Sequence, residues 1–136
     1  MRWNGKNSNA MSGKEALIDS NILVYISQRK LDFEKLQDNY DAFYASVITY
    51  MEVLGFNFES EAEKALIEML FEDIEIINLD ADIINKVIEI RKQKKIKLPD
   101  AIVFATAAIK QMDLITRNLK DFEGIEETVK IINPLD

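Results

Sequence analysis

Along the chain, short apolar runs alternate with longer stretches in which apolar side chains recur every three or four positions. The short runs are Ala16 to Asp19, Phe43 to Ser46, Glu75 to Leu79, Leu114 to Thr116 and Val129 to Ile132. Each is too brief for a helix and reads as a strand. Ser60 to Leu70 opens with a Ser-x-x-Glu capping box (Ser60, Glu63) and places Ala62, Ala65, Leu66, Met69 and Leu70 on one face, which predicts an amphipathic helix. Asp80 to Lys92 spaces Ile83, Ile84, Val87, Ile88 and Ile90 in the same way. Pro99 suits the first turn of another helix running to about Gln111. That helix is apolar on most sides, from Ala101 to Ile109, and should be the buried one.

Strands alternating with helices predict an α/β fold, a three-layer sandwich whose mainly parallel sheet is covered on both faces. Ligands of such sheets sit beyond the carboxyl ends of the strands, so strand ends and helix starts are where chemistry should be sought. A chain of 136 residues fits one domain, and no repeat, linker or low-complexity tract divides it. Residues 1–10, MRWNGKNSNA, are polar and precede a second methionine, Met11; they read as a vector-derived remnant, leaving 11–136 as the expected domain.

Composition removes whole classes of chemistry. The chain has no cysteine and no histidine, which excludes disulfides, thiol nucleophiles, ordinary zinc sites and imidazole acid–base catalysis. Any catalysis must use carboxylates, hydroxyls, lysine or metal. The formal charge is 17 − 24 = −7, and −9 without Arg2 and Lys6 (15 − 24), so bulk charge does not attract nucleic acid. No apolar run reaches the roughly 18 residues that cross a bilayer, so a cytoplasmic protein is expected.

Four acids fall at junctions on the same edge of the expected sheet. Asp19 follows the first strand and precedes the helical run Ile22, Leu23, Tyr25, Ile26; it could equally be a plain N-cap. Glu52 lies in SVITYMEVLG, an expected helix capped by Ser46, either in apolar company that demands a partner or on a thin solvent stripe beside Thr49. Asp100 falls in the first turn of the buried helix, where anions are favoured for structural reasons alone. Asp121, with Asn118, lies in the loop after the fourth strand, where an aspartate needs no special explanation. The argument rests on the set: gathered carboxylates repel, and oxygen-only ligation without His or Cys points to Mg²⁺ or Mn²⁺ and to phosphoryl chemistry. Arg91, Lys92, Lys94, Lys95 and Lys97 precede Asp100, and Arg117 and Lys120 flank Asp121. They read either as a solvated helix terminus or as a rim that binds phosphates.

The segments LIDSN, SVITYMEVLG, LPDAIVFATA and LITRNLKDF, in this order from about Leu17 to Ile132, closely resemble the successive motifs of PIN-domain ribonucleases of the VapC toxin type. The resemblance implies a PIN-like fold and a metal-dependent endoribonuclease, the toxin of a toxin–antitoxin pair. Asp19, Glu52, Asp100 and Asp121 would be its metal-binding catalytic acids, with Asn21, Ser46 and Asn118 as polar support. It further implies RNA as substrate, a cognate antitoxin and a homodimer. Asp-Ser-Asn stands where that family often has Asp-Thr-Asn, a change that keeps the hydroxyl. Three other readings compete: a catalytically silent module that binds RNA or protein in the same groove, a phosphotransfer protein using Asp19, and a structure-specific DNA nuclease resembling flap endonucleases. The second is disfavoured because Asn21 stands where haloacid-dehalogenase-type phosphatases need a second aspartate, and the third because the chain is too short for the helical insertions of that class.

Overall fold

The computed structural model describes residues 14–135; the expected remnant at 1–10 lies outside the described residues. The elements in chain order are β1 (Glu15–Ile18), α1 (Ser20–Ser27), α2 (Phe33–Gln37), β2 (Ala42–Ser46), α3 (Val47–Leu54), α4 (Glu61–Asp73) and β3 (Ile74–Ile77). They continue with α5 (Ala81–Gln93), α6 (Leu98–Lys110), β4 (Asp113–Ile115), a 3₁₀ turn (Leu119–Phe122) and β5 (Ile131–Ile132). All strand pairings are parallel, in the order β3-β2-β1-β4-β5, so every strand ends at the same edge.

Side-chain alternation divides the core in two. Ala16 and Ile18 of β1 join Phe43, Ala45, Ile74 and Ile115 beneath α1, α2, α3 and α4. Leu17 faces the other way and joins Leu114 beneath α5 and α6. This is the three-layer α/β/α sandwich that the alternation of elements predicts. The helix Leu98–Lys110 is the buried one, with every residue from Ala101 to Ala107 inaccessible or nearly so.

The expected apolar stripe of α4 is misphased. Ile67 and Leu70 are buried and Phe71 packs beside them, whereas Ala62 and Ala65 face solvent and Met69 is 43% exposed. The band of apolar residues is wider than the face in contact with the sheet, and the contact selects Ile67, absent from the sequence reading. In α5, Ile83, Val87 and Ile90 are buried while Ile84 and Ile88 remain about half exposed. The short helix α2 and the 3₁₀ turn were not anticipated, because five and four residues carry too little periodicity to register.

At the opposite edge, the Tyr40 hydroxyl donates to Asp113 Oδ2 at 2.7 Å across 73 residues of sequence. Burial first, and then this acceptor, hold the phenol protonated well above its usual range. The contact ties the entry to β2 to the start of β4. Tyr40→Phe keeps the buried ring but leaves the carboxylate without its donor. We expect a loss of about 1–2 kcal/mol in urea unfolding with an unchanged m-value, and an unchanged midpoint would show that water replaces the phenol at no cost.

Candidate active site

Asp19 is placed by strand register. Ile18 of β1 pairs with Ile115 of β4, and the Asp19 N–H donates to the Ile115 carbonyl at 3.0 Å, which brings Thr116 alongside. Asp19 is only 4% exposed. Its Oδ1 accepts the Ser20 N–H at 2.8 Å and so caps α1, while Oδ2 accepts from the Thr116 hydroxyl at 2.8 Å and the Asn21 amide at 3.4 Å. The N-cap reading is therefore geometrically true without accounting for the second oxygen. Burial raises the Asp19 pKa and the charge of Asp121 adds to this, against the lowering by its hydrogen bonds from Thr116, Ser20 and Asn21.

Glu52 stands on α3 with its side chain exposed, and Thr49, expected beside it on a solvent stripe, is wholly buried. Partial desolvation raises the Glu52 pKa, the Ser20 hydroxyl bonded to it lowers it, and Asp19 raises it again. Asp100, half-buried in the first turn of α6, is pushed up to about 6, chiefly by burial and then by the charges of Asp19, Asp121 and Glu52, with Lys97 the opposing cation. Asp121 is exposed in the 3₁₀ turn that follows β4. Residues 19, 52, 100 and 121, remote in sequence, thus lie within electrostatic reach of Asp100 at the carboxyl edge of the sheet.

Two adjoining clefts open there. One, of about 490 Å³, is lined by Ser20, Asn21, Glu52, Arg117 and Asn118 together with Tyr25 and Phe56. The other, of about 520 Å³, is lined by Arg91, Lys94, Lys95 and Lys120. Lys97, Asp100 and Asp121 line both, so the basic cleft runs directly into the acidic one. Lys92 lines neither and faces a separate depression beside Arg91. Ser46 also lines neither; it is fully buried and its Oγ accepts the Ile48 N–H at 3.2 Å, capping α3. Asn21 performs two tasks, since its Oδ1 also accepts the Arg117 N–H at 3.2 Å. The Arg117 guanidinium lies 4.2 Å from the centroid of the Tyr25 ring.

The sequence reading missed Thr116 and Tyr25, and noted the Ser20 hydroxyl in Asp-Ser-Asn without giving it a role. Thr116 could have been found from the expected parallel pairing of the first and fourth strands, which sets it beside Asp19; Tyr25 leaves no comparable signal.

The donor set suits a hard divalent cation, because every candidate ligand is a carboxylate oxygen and such a cation would offset both the burial and the neighbouring charges that raise Asp100. Among the described residues, no three acids are already drawn together as a ready ligand group. Glu52 and Asp121 are the exposed members of the set.

Comparison with known proteins bears on the family and the fold. The family described as the PIN domain matches residues 16–127. Among solved structures, a toxin–antitoxin complex from Klebsiella pneumoniae is 36% identical at a TM-score of 0.73, covering 88% of this chain and 97% of that one. VapBC2 from Rickettsia felis, bound to a promoter DNA fragment, is 21% identical at a TM-score of 0.74, over 88% and 98% of the two chains. DNA-bound VapBC from Salmonella typhimurium is 22% identical at 0.73, over 88% and 97%. A search of curated proteins by sequence found no match. No helix among the described residues is long and apolar enough to cross a membrane.

The cluster leaves a signature in the pH dependence of stability without metal. The Asp100 carboxyl is protonated in folded and unfolded chains below its ordinary 3.8; between there and about 6 only the folded protein keeps the proton. Its contribution therefore falls as pH rises through this window and is lost above it. In EDTA, the urea midpoint of the wild type relative to Asp100→Asn should decline from pH 4 to pH 7. A pH-independent difference would mean that neither burial nor the neighbouring acids raise Asp100.

Proposed function

The chain belongs to the PIN domain family, and from that premise we propose that it is a metal-dependent endoribonuclease, the VapC-type toxin of a toxin–antitoxin pair. The observation that carries the reading is the gathering of Asp19, Glu52, Asp100 and Asp121, remote in sequence, at the carboxyl edge of one parallel sheet. A purely binding surface gains nothing from such a gathering, whereas a divalent metal would be held by it.

Asp19, Glu52, Asp100 and Asp121 would hold Mg²⁺ or Mn²⁺. Bound there, the cation lowers the pKa of water and neutralises charge on the reacting phosphate. The chain's own side chains prepare that arrangement. Thr116 and Asn21 fix the rotamer of Asp19, and Ser20 orients Glu52. The first turn of α6 contributes the positive end of its dipole behind Asp100. Lys97 and Arg117, both lining the acidic cleft, would take non-bridging phosphate oxygens, and the basic cleft of Arg91, Lys95 and Lys120 would carry the adjoining RNA backbone. Asn118 lines the same acidic cleft as polar support.

Residues 11–136 would make up one catalytic domain of a cytoplasmic protein. The solved toxin–antitoxin relatives support an antitoxin partner. A basic segment of that partner would be drawn to an acidic groove, and family precedent makes the toxin a homodimer.

The test is cleavage of labelled cellular RNA by purified protein in Mg²⁺, Mn²⁺ or EDTA, beside Asp100→Asn. We expect cuts at a few positions, lost in EDTA and reduced at least about a hundredfold in the variant. RNA retained but intact under every condition, once copurified inhibitor has been removed by denaturation and refolding, would favour the silent binding module.

A further inference from the structure

Lys94 is the member of the basic run that the phosphate-rim reading does not explain. Arg91, Lys92, Lys95 and Lys97 are exposed, but Lys94 is half-buried. Its Nζ donates to the backbone carbonyl of Asp121 at 3.0 Å and to that of Glu123 at 2.6 Å, spanning 27 and 29 residues of sequence. Two of the ammonium's three donors are thereby committed to the turn that carries one of the four acids.

That turn needs an external hold. Residues 116–130, between β4 and β5, contain no regular element except four residues of 3₁₀ helix. Within the turn, Asp121 N–H donates to the Asn118 carbonyl and Glu123 N–H to the Lys120 carbonyl, so the amides are used internally while the carbonyls of 121 and 123 point to Lys94. A cation at the carbonyl end of a helical turn is also favoured by the local dipole. On the other side, Phe122 is buried and stacks on Phe104 of α6, with ring centroids 5.5 Å apart. Beyond it Gly124 takes φ +86°, and the chain is fastened again to α5 where Gln93 Oε1 accepts the Glu126 N–H at 3.0 Å and Lys86 Nζ meets Glu127 at 2.8 Å. Phe122 sets the depth of the turn, and Lys94 sets its rotation about that anchor.

We infer that Lys94 is a positioning residue, whose bonds to two carbonyls of the 3₁₀ turn aim the Asp121 carboxylate into the cleft. The inference rests on the nuclease reading for its functional consequence, and on the two hydrogen bonds alone for its structural one. It separates Lys94 from Lys95, which lines the same basic cleft and is left to meet phosphate.

Three variants test it: Lys94→Met, Lys94→Arg and Lys95→Met. Hydrogen exchange should quicken in Lys94→Met across residues 119–124 and remain as in the wild type on α5. Lys94→Arg, which restores donors to the same carbonyls, should recover part of the protection. In RNA cleavage, Lys94→Met should lower kcat roughly tenfold or more with little change in KM, because a displaced carboxylate costs turnover before it costs binding. Lys95→Met should instead act mainly on KM and flatten its salt dependence. Mn²⁺ affinity measured by calorimetry should fall in Lys94→Met and not in Lys95→Met. If Lys94→Met leaves exchange at 119–124 unchanged, or raises KM as Lys95→Met does while leaving kcat intact, Lys94 is a phosphate contact and the inference is overturned. A wild type that cuts no RNA would sink the nuclease reading, while exchange and Mn²⁺ binding would still decide the role of Lys94.

Discussion

Like charges that must stay together cannot hold one another, and much of this molecule can be understood as the scaffolding that such a set demands. Desolvation and mutual repulsion both raise the proton affinity of Asp19, Glu52 and Asp100 at the carboxyl edge. The opposing forces come from separate parts of the fold. Strand register and three hydrogen bonds fix Asp19, and the body of α3 carries Glu52. The N-terminus of a helix buried along its length presents Asp100. In an all-parallel sheet β1 and β2 deliver α1 and α3, and with them Asp19 and Glu52, to the same edge. Asp121 is the exception, being carried by irregular chain, and it is there that the tethers from α5 and the Phe104–Phe122 stack are found.

The same edge resolves an apparent conflict of charge. A chain with net charge −7 should repel a polyanion, yet Arg91, Lys95, Lys97 and Lys120 are gathered in a cleft that shares Asp100 and Asp121 with the acidic one. At physiological ionic strength exposed charges are screened beyond about 8 Å, so a polyanion inside that cleft feels the local cations far more than the distant acidic surface. Along the groove the basic lining of Arg91, Lys94, Lys95 and Lys120 gives way, at the shared Lys97, Asp100 and Asp121, to a lining that includes Glu52.

The long helices were legible in the sequence because each is long enough to show its period, and all five strands appear within a few residues of where the short apolar runs between them fall. What failed did so for identifiable reasons. The phase of α4 depends on which part of a broad apolar band meets the sheet, and Ile67 wins over Met69 and Ala65 through packing that only the assembled core defines. Ser46 was legible as a helix cap, and it lines neither cleft. The four acids were individually ambiguous, since aspartate caps helices and populates turns for local reasons. Contacts such as Lys94 with the Asp121 carbonyl, 27 residues apart, leave no mark on either local pattern.

That ambiguity is built into the architecture. In a parallel α/β sheet, helix N-termini and the ligand edge coincide, so a residue good at capping is already placed for chemistry. Capping and function are then not alternatives, and a comparison within the chain distinguishes them. Asp80 caps α5 through the Ile83 N–H at 2.9 Å and pairs with Lys110 at 3.1 Å, and its proton affinity is lowered as expected of an anion in favourable company. Asp19 caps α1 with an equally short bond from Ser20, yet its proton affinity is raised. A cap selected for stability alone sits where its charge is welcome. Asp19 instead is buried with Asp121 as a like charge nearby, and both raise its proton affinity, burial the more, so the same capping geometry carries opposite shifts in solvent and beneath the edge of the sheet.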